Sequence, residues 1–150
     1  MQASKTLTMA KGLANAIREH ALREFPHECC GALLGRDNYG DALKPDGRQI
    51  LDVLPLPNRE KDSPRNRFAL TAKDVWVAET RAREQGMEVV GWYHSHPDHP
   101  AKPSEMDRGQ ALPWYSYVIV SVASAGAREL RSWRLNDDRT GYSEESVATE

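Results

Sequence analysis

The sequence predicts an α/β domain in which helices pack on a mixed β-sheet. Three observations carry that expectation. Helical stripes and short apolar, β-branched runs alternate along the chain, in the order helix, two strands, helix, strand, helix, two strands. At 150 residues the chain is long enough for one core, burying about 70% of its unfolded surface. No internal repeat or second unit interrupts it, so residues 1–150 are expected to form a single domain.

Thr8 to Phe25 reads as an amphipathic helix with Leu13, Ala16, Ile17, Ala21 and Leu22 on one stripe, ended by Pro26. His20 and His27 are expected at its surface or end. Cys30 to Leu34 is a short apolar strand closed by Gly35, with Glu28 at its entrance. By alternation Cys30 faces the same side as Glu28 and Cys29 the other; buried packing residues are the expectation for both. Arg36 to Gly47 carries turn chemistry for an exposed hairpin loop, and Ile50 to Leu56 is the returning strand. Residues 57–66, PNREKDSPRN, read as a mobile polar loop. Asp74 to Gln85 forms the second helix, with Val75, Trp76, Ala78, Thr80 and Ala82 as an imperfect stripe and Gly86 as its stop. Met87 to Tyr93 is a buried strand, and Glu105 to Leu112 a short helix ended by Pro113. Tyr117 to Val122 is a central strand, Arg128 to Leu135 an edge strand, and the polar, acidic residues 141–150 a flexible tail.

Composition narrows the function. Twenty Lys plus Arg against 22 Asp plus Glu give a formal net charge of −2, without the basic stripe that nucleic-acid binding requires. No apolar run approaches the ~20 residues needed to span a bilayer, so no membrane role is expected. Adjacent Cys29 and Cys30 form no disulfide framework, and the N-terminus lacks a signal-peptide apolar region; a cytoplasmic location is the expectation.

The richest stretch is Tyr93 to Asp107, YHSHPDHPAKPSEMD, with three histidines, two aspartates and a glutamate. His94 and His96 follow the Met87 strand directly. Residues i and i+2 of a strand share a face, about 7 Å apart at Cα, from which two imidazoles can converge on one ion. Asp107 is the best candidate for an anionic third ligand. Pro97, Pro100 and Pro103 force a turn before a helix restarts near Ser104, and Ser104 and Asp107 share a face of that helix. The same pair also reads as a capping box with Asp in place of Glu.

His94, His96, Ser104 and Asp107, spaced as HxH, seven residues, then SxxD, resemble the JAMM (MPN-plus) zinc metalloprotease signature. Upstream, Glu28-Cys29-Cys30-Gly31-Ala32-Leu33-Leu34-Gly35 is similar to that family's ExCGxLLG segment. The resemblance implies the JAMM/MPN, cytidine-deaminase-like fold, and zinc (Zn2+) on His94, His96 and Asp107 with a fourth position for water. It implies Glu28 as general acid/base and Ser104 as hydrogen-bond donor to the oxyanion. Asn58 with Phe68 resembles a recurring segment near the substrate groove. Small stand-alone members are similar to enzymes that trim the C-terminal tail of ubiquitin-like sulfur-carrier proteins, some releasing cysteine, and to others that remove such modifiers from lysines. The partner expected is therefore a ubiquitin-like or sulfur-carrier protein, with homodimer formation left open. Cysteine release is the first expectation, general deconjugation the second and a non-catalytic MPN scaffold the third. His94 to His99 also fits HxHxDH of the metallo-β-lactamases, but His99 is the last histidine in the chain. RadC-like proteins share a related HxHP...PSxxD signature, but the Glu28 to Gly35 segment and the lack of basic excess point away from them.

Overall fold

The computed structural model describes residues 6–38 and 47–150. The elements run β1 (Thr6–Met9), α1 (Lys11–Glu24), β2 (Cys30–Asp37), β3 (Arg48–Leu56), α2 (Ala72–Glu84) and β4 (Glu88–Pro97). They continue with α3 (Glu105–Gln110), β5 (Ser116–Ala123), β6 (Gly126–Leu135) and β7 (Tyr142–Thr149). The strands close as a barrel in the order β1-β3-β2-β4-β5-β6-β7. Pairing is parallel at β1/β3, β1/β7 and β4/β5 and antiparallel elsewhere, so the expected mixed sheet with packed helices is what forms. The turn expected between β2 and β3 falls mostly on residues 39–46, outside the described residues.

Barrel closure corrects three expectations. The tail at 141–150 is β7, paired with both β6 and β1. Its hold is mostly backbone pairing, with Val147 packed on the core and an inward Glu145 that accepts from the Ser132 hydroxyl at 2.7 Å, so its polar composition hides it. Consequently β6 is no edge strand, having β5 and β7 on its two sides. Thr6–Met9 is a strand and α1 begins only at Lys11; Leu7 and Met9, two apart, both enter the α1-side core, the β period rather than the helical one.

Two cores lie on the two faces of the sheet. On one, α1 sets Ala14, Ile17 and Ala21 against Leu33, Ile50, Tyr93, Val118 and Val120. On the other, α2 sets Ala78 and Ala82 against Ala32, Leu34, Leu56 and Trp92. The α1 stripe is rotated from the expected one: Leu22 is exposed, and His20 is buried with Nδ1 2.7 Å from the Tyr93 hydroxyl. Gly31 is required at its place because a Cβ there would run into the Tyr93 ring. Cys29 and Cys30 are free and buried, and burial pushes the Cys29 thiol up to about 12, which suits packing rather than redox chemistry. Val90 bulges from the β2/β4 ladder, so Val89 and Trp92 face α2 while Val90 and Tyr93 face α1. The strand therefore delivers Trp92, His94 and His96 to the α2 face.

Helix α2 opens with a capping box. Asp74 accepts from the Thr71 N–H and hydroxyl, both at 2.9 Å, while its own N–H donates to Thr71 Oγ1 at 3.1 Å. Arg59 adds a two-pronged ion pair at 3.0 and 3.2 Å. The Arg59 hydrogen bonds and the Thr71 donors hold the Asp74 carboxyl well below the usual carboxylate range. A depressed folded pKa gives stability that is present above the unfolded value near ~4 and is lost as pH falls below it. Asp74→Asn is thus expected to lower stability by about 1–2 kcal/mol at pH 7. The gap to wild type should narrow progressively in urea titrations run from pH 5 down to pH 2.

Candidate metal centre

His94 and His96 project from the C-terminal half of β4, which β2 and β5 flank. Cys30 pairs with His94, and the Ser95 N–H donates to the Cys29 carbonyl at 3.1 Å, so the same antiparallel register carries Glu28 opposite His96. After β4 the chain turns at Asp98, whose φ is 58°, and returns through the prolines to α3. Ser104 caps α3, and Asp107 completes the box by accepting from the Ser104 N–H at 2.8 Å. Here the two readings of Ser-x-x-Asp coincide: the capping aspartate also faces the histidines.

His94 Nε2 and His96 Nε2 lie 3.1 Å apart, and each is within 3.2 Å of an Asp107 carboxylate oxygen. The ligand atoms of these three residues all fall within 4.8 Å of one another. The Pro100 carbonyl sits 2.9 Å from His96 Nδ1, where it can accept only from an N–H. That places the lone pair of a neutral His96 on Nε2, facing the Asp107 carboxylate and the other imidazole. Lone pairs of two nitrogens and a carboxylate at this spacing repel unless a proton or a cation lies among them. Burial lowers the His94 pKa and keeps that ring neutral. Burial works against His96 too, but Asp107 and the Pro100 carbonyl outweigh it and raise its pKa. Two imidazoles and one carboxylate fit a divalent ion such as zinc with a coordination position to spare.

Glu28 is 4% exposed, and its Oε1 has no hydrogen-bond partner among the described residues. Burial first, then the Asp107 charge, raises its pKa to about 8 against the opposing pull of His96. A carboxyl poised near neutrality both accepts and releases a proton. The Ser104 hydroxyl accepts from the Asp107 N–H at 3.0 Å, which leaves its own hydrogen to donate.

Among the described residues, two clefts are seen to reach the cluster. One, about 270 Å³, is apolar and is lined by Phe68, Leu70, Trp92, Leu112 and Tyr115 beside His94 and Asp107. The other, about 330 Å³, is lined by Glu28, His96, Ser104, Asn66, His99 and Lys102. His99 stands on its wall, outside the ligand cluster, and His20 and His27 are also outside it.

Sequence reading missed how Glu28 is held. Ser95, fully buried, accepts the Cys29 N–H on Oγ at 2.8 Å and so ties the residue after Glu28 to the strand between the two histidines. Asn58 donates to the Glu28 and Arg67 carbonyls at 3.0 Å and accepts from the Glu60 and Ala69 N–H groups. The polar loop at 57–66 is therefore latched to β2, and the Glu28 N–H donates to Pro64 within it at 2.7 Å. Phe68 stacks on His94 at 4.6 Å. The signal for Ser95 was its place inside HxH, where alternation turns it away from the ligands; nothing marked its partner.

Prokaryotic homologs of the JAB domain match residues 10–136. The chain belongs to this family. A CysO-cysteine peptidase of Mycobacterium tuberculosis is 34% identical over 87% of this chain and 84% of its own length. A desampylase of Haloferax volcanii is 29% identical over 98% and 99%. Among solved structures, a Desulfitobacterium hafniense protein superposes with a TM-score of 0.81 at 30% identity, covering 96% of this chain and 92% of that one. A JAB1/MPN domain protein of Archaeoglobus fulgidus superposes at 0.55 and 21% identity over 94% and 98%, a likeness of fold. The JAB-domain family and the JAMM/MPN fold are thus those of the resemblance. The names of these two curated relatives indicate peptidase or deconjugating activity for them.

Proposed function

We propose that the chain is a zinc-dependent peptidase hydrolysing the amide or isopeptide bond after the C-terminal glycine of a ubiquitin-like or sulfur-carrier protein. Release of cysteine from such a carrier is the favoured reaction, and cleavage of lysine-linked modifiers the second reading. The observation that carries the proposal is the convergence of His94, His96 and Asp107 in a wall shared with a buried, unpartnered carboxylate. The relatives' names, a CysO-cysteine peptidase and a desampylase, support the substrate class.

His94, His96 and Asp107 would hold the ion, which supplies Lewis-acid polarisation of the scissile carbonyl and acidifies water. Glu28 takes a proton from the attacking water as its oxygen bonds to the carbonyl carbon. As the C–N bond breaks, Glu28 passes that proton to the departing nitrogen, giving a carboxylic acid and an amine. The Ser104 hydroxyl donates to the developing oxyanion, a contribution of about 3 kcal/mol for one preorganised donor. The apolar cleft beside Phe68 and Trp92 suits the carrier's tail.

The test is mass spectrometry of a ubiquitin-like sulfur carrier extended by one C-terminal cysteine, incubated with zinc-loaded protein and with protein stripped by chelator. Loss of one residue with the loaded form, none after stripping and recovery on adding zinc are expected. An unchanged mass at full zinc occupancy sinks the cysteine-release reading; lysine-linked conjugates then test the second.

A further inference from the structure

The proton handed on by Glu28 fixes which cleft holds the leaving group. The departing nitrogen must come within hydrogen-bond reach of Glu28. Of the two clefts described beside the ligand cluster, the polar one is lined by Glu28 and the apolar one is not. The acyl side then lies toward Phe68 and Trp92 and the leaving amine toward Lys102.

The polar cleft carries a basic side chain opposite its acidic one. Glu28 is its one acidic wall, whereas Lys102 and His99 stand on the loop that follows the histidines. Lys102 takes part in no ion pair among the described residues. The loop is anchored rather than free. Ala101, fully buried, donates its N–H to Glu129 at 3.1 Å and accepts from Trp133 Nε1 at 2.9 Å. The Ser121 hydroxyl donates to the His99 carbonyl at 2.6 Å. The Pro100 carbonyl that fixes the His96 tautomer also accepts the Lys102 N–H at 2.8 Å. The Lys102 backbone is thus one shared carbonyl away from a candidate metal ligand.

We propose that Lys102 binds the α-carboxylate of a leaving group that is a free amino acid, and so selects trimming of a carrier's C-terminus over cleavage of side-chain-linked conjugates. An α-carboxylate two bonds from the departing nitrogen would otherwise face Glu28 without a counter-charge; Lys102 supplies it. A lysine side-chain amine carries no such carboxylate and gains nothing from Lys102. The inference rests on the proposed peptidase reading and names the leaving group for it.

The test uses a carrier ending in glycine-cysteine with a free carboxylate and the same carrier ending in cysteine carboxamide. Wild type is expected to cleave the carboxylate form about tenfold better in kcat/KM, mostly through KM. Lys102→Ala removes that preference, raising KM about tenfold for the carboxylate form and moving the carboxamide form less than twofold. Lys102→Arg restores the preference. Equal cleavage of both forms by wild type, with Lys102→Ala unchanged, overturns the Lys102 assignment alone. An equal loss on both forms in Lys102→Ala also overturns it, since a general positioning role would do that. Cleavage of neither form by zinc-loaded wild type overturns the cysteine-release reading and the assignment together.

Discussion

Glu28→Gln is expected to lower kcat about a thousandfold while zinc content, read by elemental mass spectrometry, stays at the wild-type level. The amide keeps the size and the buried position of the carboxylate but can neither take the water's proton nor deliver one to the leaving nitrogen. Glu28 lies outside the His94, His96, Asp107 cluster, so the ligand set is intact in this variant. Wild-type turnover in Glu28→Gln, or loss of zinc along with turnover, would remove Glu28 from the role given it. A stability signature accompanies the kinetic one. Burial raises the Glu28 pKa to about 8, so the neutral form is favoured on folding. Its contribution is intact below the unfolded value near ~4.3 and is lost as pH rises through about 8. In chelated protein, Glu28→Gln should therefore melt above wild type at pH 9, with the difference vanishing near pH 4.

The candidate site was legible in the sequence because its determinants are short and local. HxH at the end of a strand fixes two side chains on one face through the β period alone, and Ser-x-x-Asp fixes the third through helix geometry. Glu28 is different: it comes beside His96 only through the β2/β4 register, which spans more than sixty residues of chain. Its position was reached by resemblance, not by spacing. What stayed hidden is stabilised by backbone pairing or by partners distant in sequence. β7 reads as tail because its strand is held by main-chain bonds to β6 and β1, to which side-chain composition is nearly blind. Ser95 and Asn58 look like ordinary polar residues until the groups they bind, the backbone on either side of Glu28, are in place. His20 carried a misleading signal: polar at a helix end, it is buried because the Tyr93 hydroxyl meets it.

Arg48, to which the sequence reading gave no role, carries the other large effect. It directly follows the turn-rich segment ending at Gly47. It is fully buried. Its guanidinium donates to the Val90 and Trp114 carbonyls and to Ser116 Oγ at 2.9–3.1 Å, pairs with Asp37 at 3.3 Å and stacks over the Trp114 ring at 4.5 Å. One side chain thus bonds β3 to the start of β4, to the segment entering β5 and to the end of β2. Arg48→Met preserves much of the volume but leaves Asp37 and the acceptors without their donor. A loss of about 3–5 kcal/mol is expected, read as a fall of about 10 °C in melting temperature. Val90 lies four residues along β4 from His94, about 13 Å away, so the folded fraction of Arg48→Met should keep wild-type kcat and zinc content at 20 °C. The contrast with Glu28→Gln separates the two ends of one strand. Near Val90 a buried charge ties β3 to β2, β4 and the segment entering β5; near His96 the buried carboxyl proposed as the proton carrier weakens the fold at high pH.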